Sequence, residues 1–453
     1  MMNRYTCYKS INLPGLKVIP ENWNINKLSR ICYMKGRIGW QGLKQSEFTT
    51  EGPYLITGMN FKDGKIRWDE VYHITEARYN EAPEIQLKAG DVLITKDGTI
   101  GKLLYVDTLP DKASLNSHLL VLRPLNNDFQ PKYLYYLLRS EVFNTHIELF
   151  KTGTTFYGIS QEAVGRFRMI LPSLKEQEVI VNYLDYKLLK IDELISKKQK
   201  LINLLQEERA ANINQAVTKG INPHVEMKDS GIEWLEDIPE HWKINKLKYL
   251  IKGQLTNGIF KKNEYFGNGT KIINVIDLYN NDYLINAEKL EKVQLTKEEI
   301  QKYNAGAGDI LFVRSSLKLE GIATSSLIEK TDVPLVYECH VIKITTDKTK
   351  VNPIFLINYL NCETIKRRLI SLSQTTTMTT ISQEKIASLE IILPTLEEQE
   401  IIVQYIFEKN AQIFRTMTTL EKEIDLLKEY RAALISEVVT GKIDVREEVA
   451  SWT

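Results

Sequence analysis

The chain has 453 residues, 43% hydrophobic and 26% charged, which is the make-up of folded globular domains and excludes a disordered chain. At roughly 100–200 residues per domain, two to four domains are expected. The net charge of +1 excludes a protein coated in basic patches; residues 1–170 are mildly basic and residues 393–453 acidic, so a local nucleic-acid site is permitted but not demanded.

In chain order, residues 1–10 lack the basic-then-apolar run of a signal peptide. No later stretch approaches the roughly 18–20 apolar residues of a membrane span, and the expectation is a cytoplasmic protein. The first 150 or so residues are strand-like, with short runs such as Val92-Leu93-Ile94-Thr95 and Leu119-Leu120-Val121-Leu122 broken by Gly, Asp and Asn. Helical pieces intervene at 131–150 and 353–372, each opened by a proline at a tolerated position. A long helix follows the first strand-rich part. Leu184, Ile191, Lys198, Leu205 and Asn212 stand seven apart, with Leu188, Ile195, Ile202 and Arg209 in the complementary set. Later, Ile406, Ile413, Leu420, Leu427 and Leu434 pair in the same way with Asn410, Met417, Ile424 and Arg431. Heptad spacing over four or more repeats predicts coiled-coil packing. A helix over 174–217 is roughly 66 Å long at about 1.5 Å per residue.

The chain also repeats itself. Ile19-Pro20-Glu21-Asn22-Trp23-Asn24-Ile25-Asn26-Lys27-Leu28 returns as Ile238-Pro239-Glu240-His241-Trp242-Lys243-Ile244-Asn245-Lys246-Leu247. Gly90-Asp91-Val92-Leu93 returns at Gly308-Asp309-Ile310-Leu311, and Ile159-Ser160-Gln161-Glu162 at Ile381-Ser382-Gln383-Glu384. Ile170-Leu171-Pro172-Ser173-Leu174-Lys175-Glu176-Gln177-Glu178 returns from Ile392 to Glu400, and Arg209-Ala210-Ala211 at Arg431-Ala432-Ala433. A unit of roughly 220 residues is too long for a solenoid repeat and reads as a duplicated domain pair.

Catalytic motifs are scarce. Residues 96–102 lack the G-x-x-x-x-G-K-[ST] spacing of a phosphate loop, and a β-turn at Asp97-Gly98 is at least as good a reading. The histidines form no metal-binding pair, and His118 and His340, at matching strand positions, read as hydrogen-bonded core residues. Cys7, Cys32, Cys339 and Cys362 form no C-x-x-C pair, so no zinc knuckle or disulfide framework is expected. Neither a serine-hydrolase elbow nor an N-P-P-[YF] methyltransferase tetrad occurs. No catalytic residue and no metal ligand is assigned.

Binding signals are better. Residues 35–44 mix Lys35, Arg37, Trp40 and Lys44 with glycines, which let a backbone approach a partner closely while cations meet phosphates or guanine edges. The matching stretch carries Asn257, Lys261 and Lys262. The polar loops holding Thr154 and Thr155, and Thr376 and Thr377, suit phosphate contacts or turns equally. Lys96 and Arg314, just after the two Gly-Asp strands, complete the candidate DNA-binding set.

The paired I-P-E-x-W-x-I-N-K-L and L-P-[ST]-L-x-E-Q-E segments, and the R-A-A helices ending in Val217-Thr218-Lys219-Gly220 and Val439-Thr440-Gly441-Lys442, resemble the specificity subunit of type I restriction-modification systems over essentially the full chain. The resemblance implies an α+β fold. Two duplicated mixed α/β target-recognition domains would be separated by two long helices packed as an antiparallel coiled coil, in a pseudo-twofold, quasi-circular body. The implied boundaries are 1–170 for recognition domain 1, 171–219 for the central helix, 220–392 for recognition domain 2 with its linker 220–237, and 393–453 for the C-terminal helix and tail. Each domain would read half of a bipartite double-stranded DNA site, with the helices setting the gap. The implied partners are two methyltransferase subunits and restriction-translocase subunits. S-adenosylmethionine and ATP-Mg²⁺ would sit on those partners, leaving this chain non-catalytic and without a cofactor. A type IIB-like or methylation-only complex, and a protein-binding scaffold, stand as alternatives.

Overall fold

The computed structural model describes residues 3–38, 42–62, 64–153, 157–280, 282–375 and 377–450. The chain divides into two compact units, one of residues 1–198 and 422–453 and the other of residues 199–421.

In the first unit a four-stranded antiparallel sheet runs Leu103–Tyr105, Val92–Thr95, Leu119–Pro124, Cys32–Lys35. The two central strands are buried at nearly every position, which explains their unbroken apolar sequence. A three-stranded sheet pairs Thr49–Ile56 in parallel with Ala113–Leu115 and antiparallel with Tyr72–His73. Helices Pro131–Leu138 and Glu141–Phe150 cover the first sheet's core with Tyr133, Leu134, Leu137 and Phe143.

The second unit repeats this plan. Its four-stranded sheet runs Thr256–Asn257, Val341–Thr345, Asp309–Val313, Ser325–Leu327. A second sheet again contains one parallel pair, Phe266–Ile273 against Leu335–Tyr337. Helices Pro353–Asn361 and Glu363–Leu372 take the covering role.

The repeated sequences serve repeated hydrogen bonds. Ser160 and Ser382 cap short helices by accepting from the backbone of Ala163 and Lys385. Gln177 is fully buried; its Oε1 accepts from Gln130 N at 2.8 Å and its Nε2 donates to Pro172 O at 3.0 Å. Gln399 makes the same bracket between Asn352 N, at 2.7 Å, and Pro394 O, at 3.0 Å. Asp91 and Asp309 each close the turn before their strand, accepting from Lys88 N and Gly306 N. Trp23 and Trp242 are both buried to 1% exposure.

The two long helices span Leu174–Lys219 and Leu396–Val439. Of the heptad positions, Leu184, Leu188, Ile191, Ile202, Ile406, Ile413, Leu420, Ile424 and Leu434 are buried. Within the first unit, Lys198 pairs with Glu423 at 2.7 Å and Arg431 with Asp192 at 2.6 Å. One helix ascends in number as the other descends, so the pair is antiparallel. Lys198 and Arg431, polar residues of the stripe, thus find partners across the helix pair. Among the described residues no helix is long and apolar enough to cross a membrane.

Candidate nucleic-acid interface

In each unit three segments converge at one end of the four-stranded sheet's central strands, which forms an edge of the unit. Lys96 N donates to His118 O at 2.9 Å, and Lys96 O accepts from Ile159 N at 2.8 Å. In the second unit Arg314 N donates to His340 O and Arg314 O accepts from Ile381 N, both at 2.9 Å. The cationic residue is therefore held by its main chain on both sides, leaving its side chain half-buried at the rim. Loop 96–102 is a turn, tied by Gly101 N to Thr95 O and by Thr95 N to Lys102 O, and has no phosphate-loop form.

The strand that precedes each glycine-containing loop approaches the same edge. Gln161 Nε2 donates to Met34 O at 3.0 Å, and Gln383 Nε2 donates to Asn257 Oδ1 at 2.8 Å. A Cβ on Gly36 would stand 2.7 Å from Leu119 O, and one on Gly258 only 2.0 Å from Tyr337 O. Glycine at these positions lets loop and strand touch.

The structure sorts the sequence-derived candidates. Lys35, Lys44, Lys262 and Thr377 are exposed, and Lys96 and Arg314 half-buried. Asn257 holds the Gln383 tether. Arg37 corrects its reading as a surface contact: it is 3% exposed, with its guanidinium donating to Leu115 O at 2.9 Å and Ser114 Oγ at 3.0 Å. It stitches its loop to the strand Ala113–Leu115 instead of facing a phosphate. Lys261 is likewise engaged, 2.7 Å from Glu299 and over the Tyr265 ring. Trp40, Thr154, Thr155 and Thr376 lie outside the described residues.

The histidine reading is also corrected. His118 is exposed and faces Asp97 Oδ2 at 3.3 Å, while half-buried His340 lines a cavity of about 610 Å³ with Phe260, Lys261, Ile276, Glu338 and Cys339. Sequence reasoning missed several exposed apolar side chains here. Leu317 is 81% exposed three residues past Arg314, and Phe260 is 72% exposed in the loop beside the cavity. A large apolar residue next to a cation in a turn is the signal that could have found them. Burial pushes the thiols of Cys32 and Cys362 up to about 12, so neither supplies a nucleophile at neutral pH.

One recognition module of mixed α/β structure, built twice in a single chain and joined by long helices, defines the class. The chain belongs to the family described as type I restriction modification DNA specificity domain, matched over residues 20–204 and 239–434. It is a specificity subunit of the type I restriction-modification systems, with two recognition domains. The MjaVIII specificity subunit of Methanocaldococcus jannaschii is 25% identical, with 97% of each chain covered. The StySPI specificity subunit of Salmonella potsdam is 24% identical over 96% of this chain and 91% of its own. Two solved structures share the fold. A chain from a type I R-M system has a TM-score of 0.69 at 15% identity, covering 94% of this chain and 99% of that one. The HsdS subunit from Thermoanaerobacter tengcongensis has a TM-score of 0.54 at 16% identity, covering 95% and 99%.

Proposed function

We propose that each unit reads one half of a bipartite double-stranded DNA site, and that the long helices set the gap between the halves. The chain would deliver two methyltransferase subunits and the restriction-translocase subunits to that site in the cytoplasm. S-adenosylmethionine and ATP-Mg²⁺ belong on those partners, and this chain performs no chemistry itself. One observation carries the reading: the main-chain bracket around Lys96 recurs around Arg314, so one chain holds the same edge twice. Two readers in one chain do what two chains do in a dimeric DNA-binding protein.

The assembled complex should shift duplex DNA with an affinity that falls steeply as salt rises. Replacing Lys35 and Lys44, both exposed, should weaken binding evenly across sequences and flatten the salt slope by about one unit per lost phosphate contact. Adding four residues to each long helix at matching positions lengthens it by roughly 6 Å. At about 3.4 Å per base pair, the gap grows by one or at most about two pairs, with both half-site sequences kept. Methylome sequencing of a host carrying each variant reads this out. A complex that binds DNA without sequence preference, or an unchanged gap, would count against the proposal.

A further inference from the structure

Among the described residues Arg314 differs from most interior arginines; the Nε of Arg368 is also shut off from water without an acceptor, but its guanidinium lies over the Trp234 ring. Arg123 meets Asp91, Arg37 meets Ser114 and the Leu115 carbonyl, and Lys261 meets Glu299. Arg314 is half-buried, yet among the described residues its guanidinium has no carboxylate, carbonyl or aromatic partner, and its Nε is shut off from water without an acceptor. Guanidinium offers five donors and no acceptor, and a buried donor left unmade is costly. Such a group is one half of an interaction.

The surroundings indicate the other half. The main chain of Arg314 is pinned to His340 and Ile381, and the next two residues pair with Thr380 and Thr379 in a three-stranded ribbon. The base of the side chain is therefore fixed in position. Three residues on in the chain, just past the strand Ser315–Ser316, Leu317 stands 81% exposed. A phosphate contact is served by a mobile, hydrated cation and gains nothing from an apolar neighbour. A base edge in the major groove offers both acceptors for a fork and methyl groups for an apolar side chain, and guanine O6 and N7 match the two donors of an arginine.

We propose that Arg314 reads a guanine in the half-site of the second unit by a bidentate contact to O6 and N7. This rests on the reading of that unit as a DNA half-site reader. Lys96 occupies the equivalent bracket in the first unit with a single ammonium in place of the fork.

The test uses the assembled methyltransferase complex. The motif it methylates is first read from the methylome of a host carrying the system. Duplexes with each position of each half-site replaced in turn are then methylated by wild-type, R314Q and R314K complexes. The wild-type complex should disfavour replacement of one guanine by roughly 5- to 150-fold. R314Q should lose that discrimination to within about twofold at that position alone, leaving the other half-site as it was. R314K keeps the charge and would preserve a phosphate contact, but it loses the fork; it should retain the salt slope and discriminate poorly. Three results overturn the assignment: discrimination unchanged in folded R314Q, a rate loss even across all duplexes, or R314K discriminating as wild type. A wild-type complex with no sequence preference would instead overturn the half-site reading itself. Melting curves equal to wild type establish that the variants are folded.

Discussion

Replacing Gln399 with methionine tests whether the repeated glutamine holds each long helix to its unit. Gln399 is fully buried, and its amide satisfies two main-chain groups, the N–H of Asn352 at the start of helix Pro353–Asn361 and the carbonyl of Pro394. Methionine fills nearly the same volume, so Q399M removes these two hydrogen bonds, and a long one from Nε2 to Lys350 O at 3.5 Å, without opening a large cavity. Each orphaned main-chain group costs about 1–3 kcal/mol, so the loss of two should be ~2–6 kcal/mol, or about 4–24 °C in melting temperature for a unit of this size. Differential scanning calorimetry reads the melting temperature. Hydrogen exchange followed by mass spectrometry reads the Asn352 amide, which should exchange faster in Q399M. Q177M should release the Gln130 amide in the same way, since Gln177 makes the same bracket. A Q399M protein melting within about 1 °C of wild type, with the Asn352 amide still protected, would refute this reasoning.

Other substitutions also have defined outcomes. G258A should melt well below G36A, because its Cβ would meet backbone at 2.0 and 2.3 Å, whereas Gly36 faces one carbonyl at 2.7 Å and a movable Leu120 side chain; equal melting temperatures contradict the close-approach argument. R123A strands the Asp91 carboxylate, which is 2% exposed, and should cost about 3–5 kcal/mol in chemical denaturation. T345V removes a neutral donor from Asp309 and should cost less, about 1.5–3 kcal/mol, so a reversed order would be decisive against it. His146 is buried against Phe143, Phe150 and Phe167, and burial lowers its affinity for a proton. Below pH ~6.5 the unfolded chain takes up a proton that the folded one resists, so stability falls as pH drops from there toward the depressed folded value. H146Q should flatten that decline in denaturant titrations carried down from about pH 6.5; a decline of unchanged slope would assign it to other groups.

The duplication was legible because identical residues perform identical tasks in the two units. Serine at a helix start, glutamine across a buried gap and aspartate closing a turn are short-range or geometrically narrow roles, and few other residues fill them. The heptad stripe was legible for a similar reason, since its spacing is set by the helix itself. Long-range pairing was not. Arg37 carries the same local signature as an exposed lysine, but its partner Ser114 lies 77 residues away on a strand whose parallel pairing no local pattern announces. Lys261 meets Glu299 for the same kind of reason, across 38 residues. The histidines misled in the opposite direction: each precedes an apolar strand, but the chain is still turning at that point, which leaves His118 facing solvent and Asp97.

The bracket around residues 96 and 314 has an evolutionary consequence. Its hydrogen bonds run through main-chain atoms, which every amino acid except proline supplies in full. The side chain at that position contributes nothing to holding the edge together. A lysine and an arginine already share the frame in one molecule, so exchanging the residue there leaves the scaffold's main-chain bonds intact. If these residues read bases as proposed, a lineage carrying this chain would change its target by single substitutions at these two positions.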